Sequence, residues 1–163
     1  MKSRLIKCFQ CIFLATSLAL VTVPGATAQE VNKGEIPAEH LAKTCKQLPW
    51  GVQIWDNEEA MAAMQADDAN VLWIDTRPAS FAQKGTVRGA IVSTYNISGG
   101  EGNELTTEKL LDAIKQSGIP QDKVKIAFFC QGPECHRSYN ASFVAVKQWG
   151  FSTNSVVWYR DGY

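Results

Sequence analysis

The sequence predicts an α/β fold in which a mostly parallel β-sheet is flanked by helices. Two observations lead to this fold class. Short apolar runs typical of buried strands recur along the chain, and segments with helical spacing of apolar residues lie between them. Strands that alternate with helices usually pair in parallel, because each helix returns the chain across the sheet. In such sheets, ligands bind at the carboxyl ends of the strands.

The first predicted strand and helix lie at the start of the domain. Residues 52–55 alternate between apolar and polar side chains like a short strand. Asp56 and Glu59 then resemble a capping box, the pair of reciprocal hydrogen bonds that starts many helices. The side chains predicted to share the apolar face of this helix are Ala60, Met61 and Met64.

Three largely apolar segments predict buried strands of the sheet. They cover residues 71–74, 90–92 and 124–129. Between the second and third runs, Thr106 starts a helix that Gly118 ends. The core-facing side chains predicted for this helix are Leu110, Leu111 and Ile114.

The remainder of the chain predicts one more helix and one more strand. Residues 138–149 are apolar on nearly every side of a helix, which stops at Gly150. Residues 155–159 form the last predicted strand. The tryptophans fall on strand or helix patterns and are expected in the core.

The N-terminal residues predict a signal peptide. A basic start is followed by an apolar run from Cys8 to Val23 and by the small-residue pattern Ala26-Thr27-Ala28. We expect cleavage after Ala28 and a periplasmic or secreted protein. The predicted organisation is therefore a signal peptide (1–28), an N-terminal arm (29–50) and one domain (51–163). An uncleaved membrane anchor is the alternative.

Charge and composition exclude several classes of partner. The whole chain has equal numbers of basic and acidic side chains, 16 of each. The three charges in the predicted signal peptide are all basic, so the mature protein is net acidic. It has no basic cluster, which argues against nucleic acid as a partner, and no apolar run long enough to span a membrane. We predict no metal site and no cofactor, since no Cys, His, Asp and Glu spacing resembles that of zinc ligands.

An odd number of cysteines remains in the mature chain: Cys45, Cys130 and Cys135. Exported proteins usually use cysteines in pairs, so at least one thiol is left unpaired or bonded to another molecule. A structural disulfide between Cys130 and Cys135 is one alternative, with Cys45 left over. A reactive thiol is the other.

Cys130 stands where a reactive thiol is expected. It follows a predicted buried strand and begins the loop "CQGPEC", which leads to a helix. Backbone N–H groups in such a loop, together with the N-terminal end of the helix, favour an anion. Cys130 is therefore expected to be a nucleophilic thiolate. Gly132 permits a tight turn, and Pro133 stiffens it. The alternative is that Cys130 packs as a small apolar side chain.

The order of motifs resembles the rhodanese-like domain family. The matching segments are "VLWIDTRPASFAQKGTVRGAI", "IAFFCQGPECHRSYNAS", "WGF" and "VVWYRDGY", and the form C-x-G-P-x-C resembles an exported subgroup of the family. The resemblance implies a doubly wound parallel sheet and a strand-end cysteine that accepts sulfane sulfur as a persulfide. Cys130 matches that cysteine. Asp75 and Arg77 match the family's D-x-R strand end as supporting residues.

The loop around Cys130 supplies the other candidate site residues. We predict Arg137 as a catalytic residue that binds an anionic donor. The predicted substrate-binding residues are Gln131, Gly132, Pro133, Glu134, Cys135, His136 and Ser138. Cys135 is either a residue that resolves a persulfide or sulfenic acid on Cys130 or a spectator on the loop rim. The loop is longer than is usual in the family, and Glu134 adds a negative charge, so dianions such as thiosulfate are expected to bind weakly.

The sequence predicts a sulfurtransferase or a persulfide-carrying sulfur relay outside the cytoplasm. Its partners would be a small sulfane-sulfur donor and a thiophilic acceptor, which can be a protein. Two alternatives remain open. One is a thiol–disulfide redox protein that uses Cys130 and Cys135, and the other is a non-catalytic rhodanese-like binding module.

Overall fold

The computed structural model describes residues 35–66, 68–96 and 102–163. The predicted signal peptide and the beginning of the predicted arm lie outside the described residues. Within the described chain, no helix is long and apolar enough to cross a membrane. The elements in chain order are α1 (Ala38–Leu41), β1 (Gln53–Trp55), α2 (Asn57–Gln65), β2 (Val71–Asp75), α3 (Ala79–Ala82), β3 (Ile91–Val92), α4 (Thr107–Ser117), β4 (Lys125–Phe129), α5 (His136–Lys147) and β5 (Val156–Tyr159).

The described strands form one sheet in the order β1-β5-β4-β2-β3. Each pair of neighbours runs parallel, which confirms the predicted α/β fold class. β2 and β4 lie side by side, and their register sets Asp75 opposite Phe129. Because parallel neighbours end at the same edge of a sheet, the residues that follow β2 and β4 come together.

Apolar cores cover both faces of the sheet. Successive strand side chains point to opposite faces, so Ile126 and Phe128 of β4 pack in one core with α4 and α5. Ala127 and Phe129 pack in the other core with Ala60 of α2. Helices therefore flank the sheet on both sides, in the doubly wound arrangement that the resemblance implied. Strands buried on both faces explain the continuous apolar runs of the sequence.

The helix ends follow the signals in the sequence. α2 begins with the predicted capping box, in which the backbone N–H of Asp56 donates to the Glu59 carboxylate at 2.9 Å. At the start of α4, the Thr106 hydroxyl accepts a hydrogen bond from the backbone N–H of Lys109. The same helix ends at Gly118, whose φ of 72° is the left-handed conformation that glycine adopts without strain.

Two side chains predicted in the core are instead exposed. Met61 of α2 is 48% exposed, and Leu111 of α4 is 44% exposed. Each follows directly after a fully buried residue, Ala60 or Leu110. Adjacent helical residues point about 100° apart, and these helices bury only the narrower stripe that contains the first of each pair.

The described part of the predicted arm packs into the domain. Leu48 and Trp50 lie in the same core as α5. His40 is also buried, and its Nδ1 lies 2.8 Å from the hydroxyl oxygen of Tyr139. An isolated bridge pairs Gln47 with β1. Residues 35–50 thus contribute to the folded unit.

The guanidinium of Arg160 joins this segment to the sheet. Arg160 is fully buried just after β5, and its Nη2 lies 2.5 Å from a carboxylate oxygen of Asp56. It also donates hydrogen bonds to the backbone carbonyls of His40, Ala42 and Cys45. A buried cation needs such complete pairing, because an unmet charge is costly in the interior.

The carboxyl of Asp56 is held in its ionised form. Burial by itself would raise the pKa of Asp56, but hydrogen bonds from Lys46 and Arg160 outweigh burial and hold the pKa below that of an ordinary aspartate. The distance from Lys46 Nζ to this carboxylate is 2.9 Å. The folded state therefore binds a proton at this site less readily than the unfolded state.

We predict that Asp56→Asn lowers the free energy of unfolding by about 3 kcal/mol at neutral pH, because it leaves Arg160 without its counterion. The depressed folded pKa also predicts a pH dependence. The ion pair stabilises the fold above the pKa of the unfolded aspartate, roughly 4, and this stabilisation is lost as the pH falls through the lower folded value. Urea unfolding at pH 7 and pH 3 measures both effects.

The control for this substitution is Glu58→Gln, which removes an exposed charge from the first turn of α2. We expect it to change the free energy of unfolding by less than about 0.5 kcal/mol at either pH. The importance assigned to the Arg160 pair is wrong if the two substitutions have equal effects, or if Asp56→Asn leaves the acid sensitivity unchanged.

Candidate active site

The candidate site lies at the carboxyl ends of β2 and β4. The backbone N–H of Thr76 donates to the Phe129 carbonyl at 3.0 Å, so the chain leaves the two strands at the same level. Cys130 follows β4, and residues 131–135 turn the chain into the start of α5. The sequence placed Asp75 and Cys130 at strand ends, and the sheet brings these strand ends side by side.

Cys130 and Cys135 form a disulfide bond across this loop. The Cα atoms of the two cysteines are 6.1 Å apart. Cys130 is buried, with 1% of its surface exposed, whereas Cys135 is partly exposed. The structure is therefore that of the oxidised protein, and the thiolate predicted for Cys130 belongs to the reduced form.

Asp75 and Arg77 form a buried pair beside the loop. The Arg77 guanidinium contacts both carboxylate oxygens of Asp75, with a shortest distance of 2.6 Å. The same carboxylate accepts hydrogen bonds from the backbone N–H of Arg77 and from the Thr86 hydroxyl. Arg77 also donates to the Gly85 carbonyl. Both predicted supporting residues thus order the turn after β2, and the Arg77 charge is largely neutralised by Asp75.

His136 and Arg137 connect the start of α5 to the segment after β3. His136 Nε2 lies 3.0 Å from the Asn96 carbonyl oxygen, and Arg137 Nη1 donates to the Tyr95 carbonyl at 3.1 Å. The guanidinium predicted to bind an anionic donor therefore contacts a backbone carbonyl in the oxidised protein. These two contacts fix the first turn of α5.

A cavity of about 580 Å³ opens beside the disulfide. Its lining includes Cys135 but not Cys130. Most of the predicted substrate-binding loop contributes to it. The lining residues are Arg77, Pro78, Phe81 and residues 131–137. The predicted loop residue Ser138 lies elsewhere: it is buried, and its hydroxyl accepts a hydrogen bond from the Trp158 indole at 3.1 Å.

The residues after β5 also contact the loop, which the sequence did not indicate. The backbone N–H of Tyr163 donates to the Cys130 carbonyl at 2.9 Å. The guanidinium carbon of Arg77 lies 5.0 Å from the centre of the Tyr163 ring, a cation–π contact. Gly162 adopts φ 71° against the backbone of the loop. The glycine in "RDGY" was the available signal, since glycine often marks a close approach of two backbones.

We predict that Gly162→Ala destabilises the protein more than Gly150→Ala. Both glycines have positive φ values, 71° and 77°, so alanine is strained at either position. A Cβ atom at Gly162 would also lie 2.6 Å from the Cys130 carbonyl oxygen and from the backbone nitrogen of Gly132, whereas at Gly150 it would meet nothing within 4 Å. The excess should be about 1–3 kcal/mol in thermal or urea unfolding. Equal losses would mean that Gly162 does not pack against the loop as described.

Comparison with known proteins found several similar solved structures. Solved structures similar to this chain include the BH2092 protein from Bacillus halodurans, with 20% identity, coverage of 77% of this chain and 74% of that chain, and a TM-score of 0.48. An uncharacterized protein from Saccharomyces cerevisiae has 18% identity, coverage of 68% and 87%, and a TM-score of 0.44. A variant of EanB in complex with ergothioneine has 19% identity, coverage of 68% and 28%, and a TM-score of 0.46.

Family membership rests on the sequence profile. No curated protein matches the chain. The profile described as the rhodanese-like domain, however, matches residues 56–163, which includes every described strand of the sheet except β1 as well as the complete loop between Cys130 and α5. With the strand-end cysteine, the D-x-R turn and strands β2 to β5 all inside that match, this chain belongs to the rhodanese-like domain family.

Proposed function

We propose that this protein is a sulfurtransferase or persulfide-carrying relay in which Cys130 holds the transferred sulfur. One observation supports this assignment above the others. In a rhodanese-like domain, Cys130 follows β4 directly and is bonded to a second sulfur across a loop that borders an open cavity. The cavity reaches this disulfide at Cys135, so a small donor can approach the loop that carries Cys130.

The proposed reaction begins with the reduced protein. The thiolate of Cys130 attacks the outer sulfur of a sulfane donor, a new S–S bond forms, and the bond between that sulfur and the rest of the donor breaks with its electron pair. Cys130 then carries a persulfide. A thiolate on the acceptor attacks the terminal sulfur in turn, and Cys130 leaves as a thiolate, ready for the next cycle.

The surroundings of Cys130 favour the anionic forms in this cycle. α5 starts at His136, and the free N–H groups of its first turn and its positive dipole end lie next to the loop. Glu134 lines the same cavity and opposes an incoming dianion. We therefore expect a persulfide or polysulfide donor, which carries less charge, to react better than thiosulfate.

We predict that the reduced protein gains one sulfur atom on Cys130 when it is incubated with a polysulfide. Intact-mass measurement and peptide mapping detect the added atom. Cys130→Ser should abolish the gain because it removes the nucleophile, while Cys135→Ser should retain it. If the reduced wild type gains no sulfur from a polysulfide, a persulfide or thiosulfate, the proposed function is wrong.

A thiol–disulfide redox function is the second candidate, and the Cys130–Cys135 bond favours it. In this case the pair would be reduced by one thiol partner and reoxidised by another, and both cysteines would be essential. The variant Cys135→Ser separates the two roles. A redox function predicts that it loses thiol–disulfide exchange activity although it still gains a full complement of sulfur from a polysulfide.

We also propose that the protein acts outside the cytoplasm, with a thiophilic acceptor that can be a protein. The basic start, apolar run and small-residue pattern of residues 1–28 support export, and a disulfide-bonded loop suits an oxidising compartment. The N-terminal sequence of the protein isolated from its cells tests this proposal, which expects the mature chain to begin at Gln29.

A further inference from the structure

The two sulfur atoms of the loop disulfide differ in access. Cys130 is 1% exposed and does not line the cavity. Cys135 is partly exposed and does line it. A small molecule that enters the cavity therefore meets the Cys135 end of the bond, and Cys130 lies behind it.

Backbone and core residues pack closely around Cys130. Its carbonyl is bonded to the backbone N–H of Tyr163, and Gly162 lies so close to the loop backbone that even a methyl group would not fit between them. Phe129, the preceding residue, is fully buried in one of the cores. Which sulfur of a disulfide is attacked depends on access, and Cys135 is the cysteine of this pair that borders the cavity.

The cavity suits a small sulfur nucleophile with a single negative charge. Arg137 and His136 contribute basic groups to the lining, and Glu134 contributes an acidic one. The charge of Arg77 is compensated by Asp75 behind the lining. This balance attracts a monoanion more than a dianion, and hydrosulfide is the smallest anion of this kind that breaks a disulfide.

We propose that the oxidised protein converts hydrosulfide into sulfane sulfur, and that hydrosulfide attacks the Sγ atom of Cys135. Hydrosulfide forms an S–S bond to Cys135 Sγ, while the bond between Cys135 and Cys130 breaks and its electron pair leaves on Cys130. The products are a persulfide on Cys135 and a thiolate on Cys130. The protein disulfide is the oxidant: it gains the two electrons that the hydrosulfide sulfur loses.

The second step delivers the sulfur to the residue assigned as its carrier, and in this step the inference rests on the proposed function. The Cys130 thiolate attacks the outer sulfur of the Cys135 persulfide, and Cys135 leaves as a thiolate. The loop then holds a persulfide on Cys130, the same species that a sulfane donor would generate. One disulfide yields one persulfide, so the conversion is stoichiometric.

Rapid quenching tests the order of events. Oxidised wild-type protein is mixed anaerobically with polysulfide-free hydrosulfide, quenched with an alkylating reagent at increasing times and digested with trypsin. Cleavage after Lys125 and Arg137 places both cysteines in one peptide, residues 126–137, apart from Cys45. Fragmentation of that peptide between Cys130 and Cys135 locates the added sulfur.

We expect the earliest samples to hold about tenfold more added sulfur on Cys135 than on Cys130, with the sulfur moving to Cys130 at later times. Fully reduced wild-type protein is the matched control and should gain none, because it has no S–S bond to break. Sulfur that appears first on Cys130, sulfur on the reduced control, or an intact disulfide after exposure to hydrosulfide would each overturn the inference.

The polysulfide assay on reduced protein keeps this inference distinct from the proposed function. If the reduced protein accepts sulfur on Cys130 from a polysulfide but the oxidised protein gains none from hydrosulfide, only the inference fails. If neither form gains sulfur, both fail.

Discussion

The buried charge of Arg160 is the constraint on which much of this structure depends. A guanidinium with no exposed surface must find a counterion and enough acceptors inside the protein, and it finds them in Asp56 and in three carbonyls of the N-terminal segment. The chain that leaves Arg160 then runs directly to Gly162 and Tyr163, which hold the backbone of Cys130. The need to pair this one charge thus positions the N-terminal segment, the start of α2 and the residues that contact the backbone of Cys130.

The sequence predicted the parts of the fold that depend on local patterns. Buried strands appear as continuous apolar runs, and the helix after Asp56 starts with a capping box that the structure contains. The sequence also placed Asp75 and Cys130 at strand ends, and the structure brings them together because β2 and β4 are parallel neighbours. Met61 and Leu111 were placed wrongly in the core, since apolar spacing does not reveal how wide a stripe of each helix is covered.

Contacts between distant parts of the chain could not be predicted in the same way. Tyr163 makes a backbone hydrogen bond to Cys130, more than thirty residues away in the sequence, and the local composition of neither segment predicts this contact. In the sequence, Arg160 looks like an ordinary charged residue after a strand. Its burial depends on three backbone carbonyls near residue 42, which are far from it along the chain. The pairing of Cys130 with Cys135 remained one of several alternatives for a related reason: their spacing permits a bond but does not require one.

The bonds made by His136 and Arg137 confine the effects of disulfide chemistry. They attach the first turn of α5 to the carbonyls of Asn96 and Tyr95, and the helix beyond that turn is buried from Ser138 to Ala145. We therefore expect opening of the S–S bond to affect residues 131–135 more than α5, which is packed on the sheet. A partner protein that binds only one oxidation state would therefore have to contact residues 131–135, because we expect the rest of the surface to be the same in the oxidised and the reduced protein.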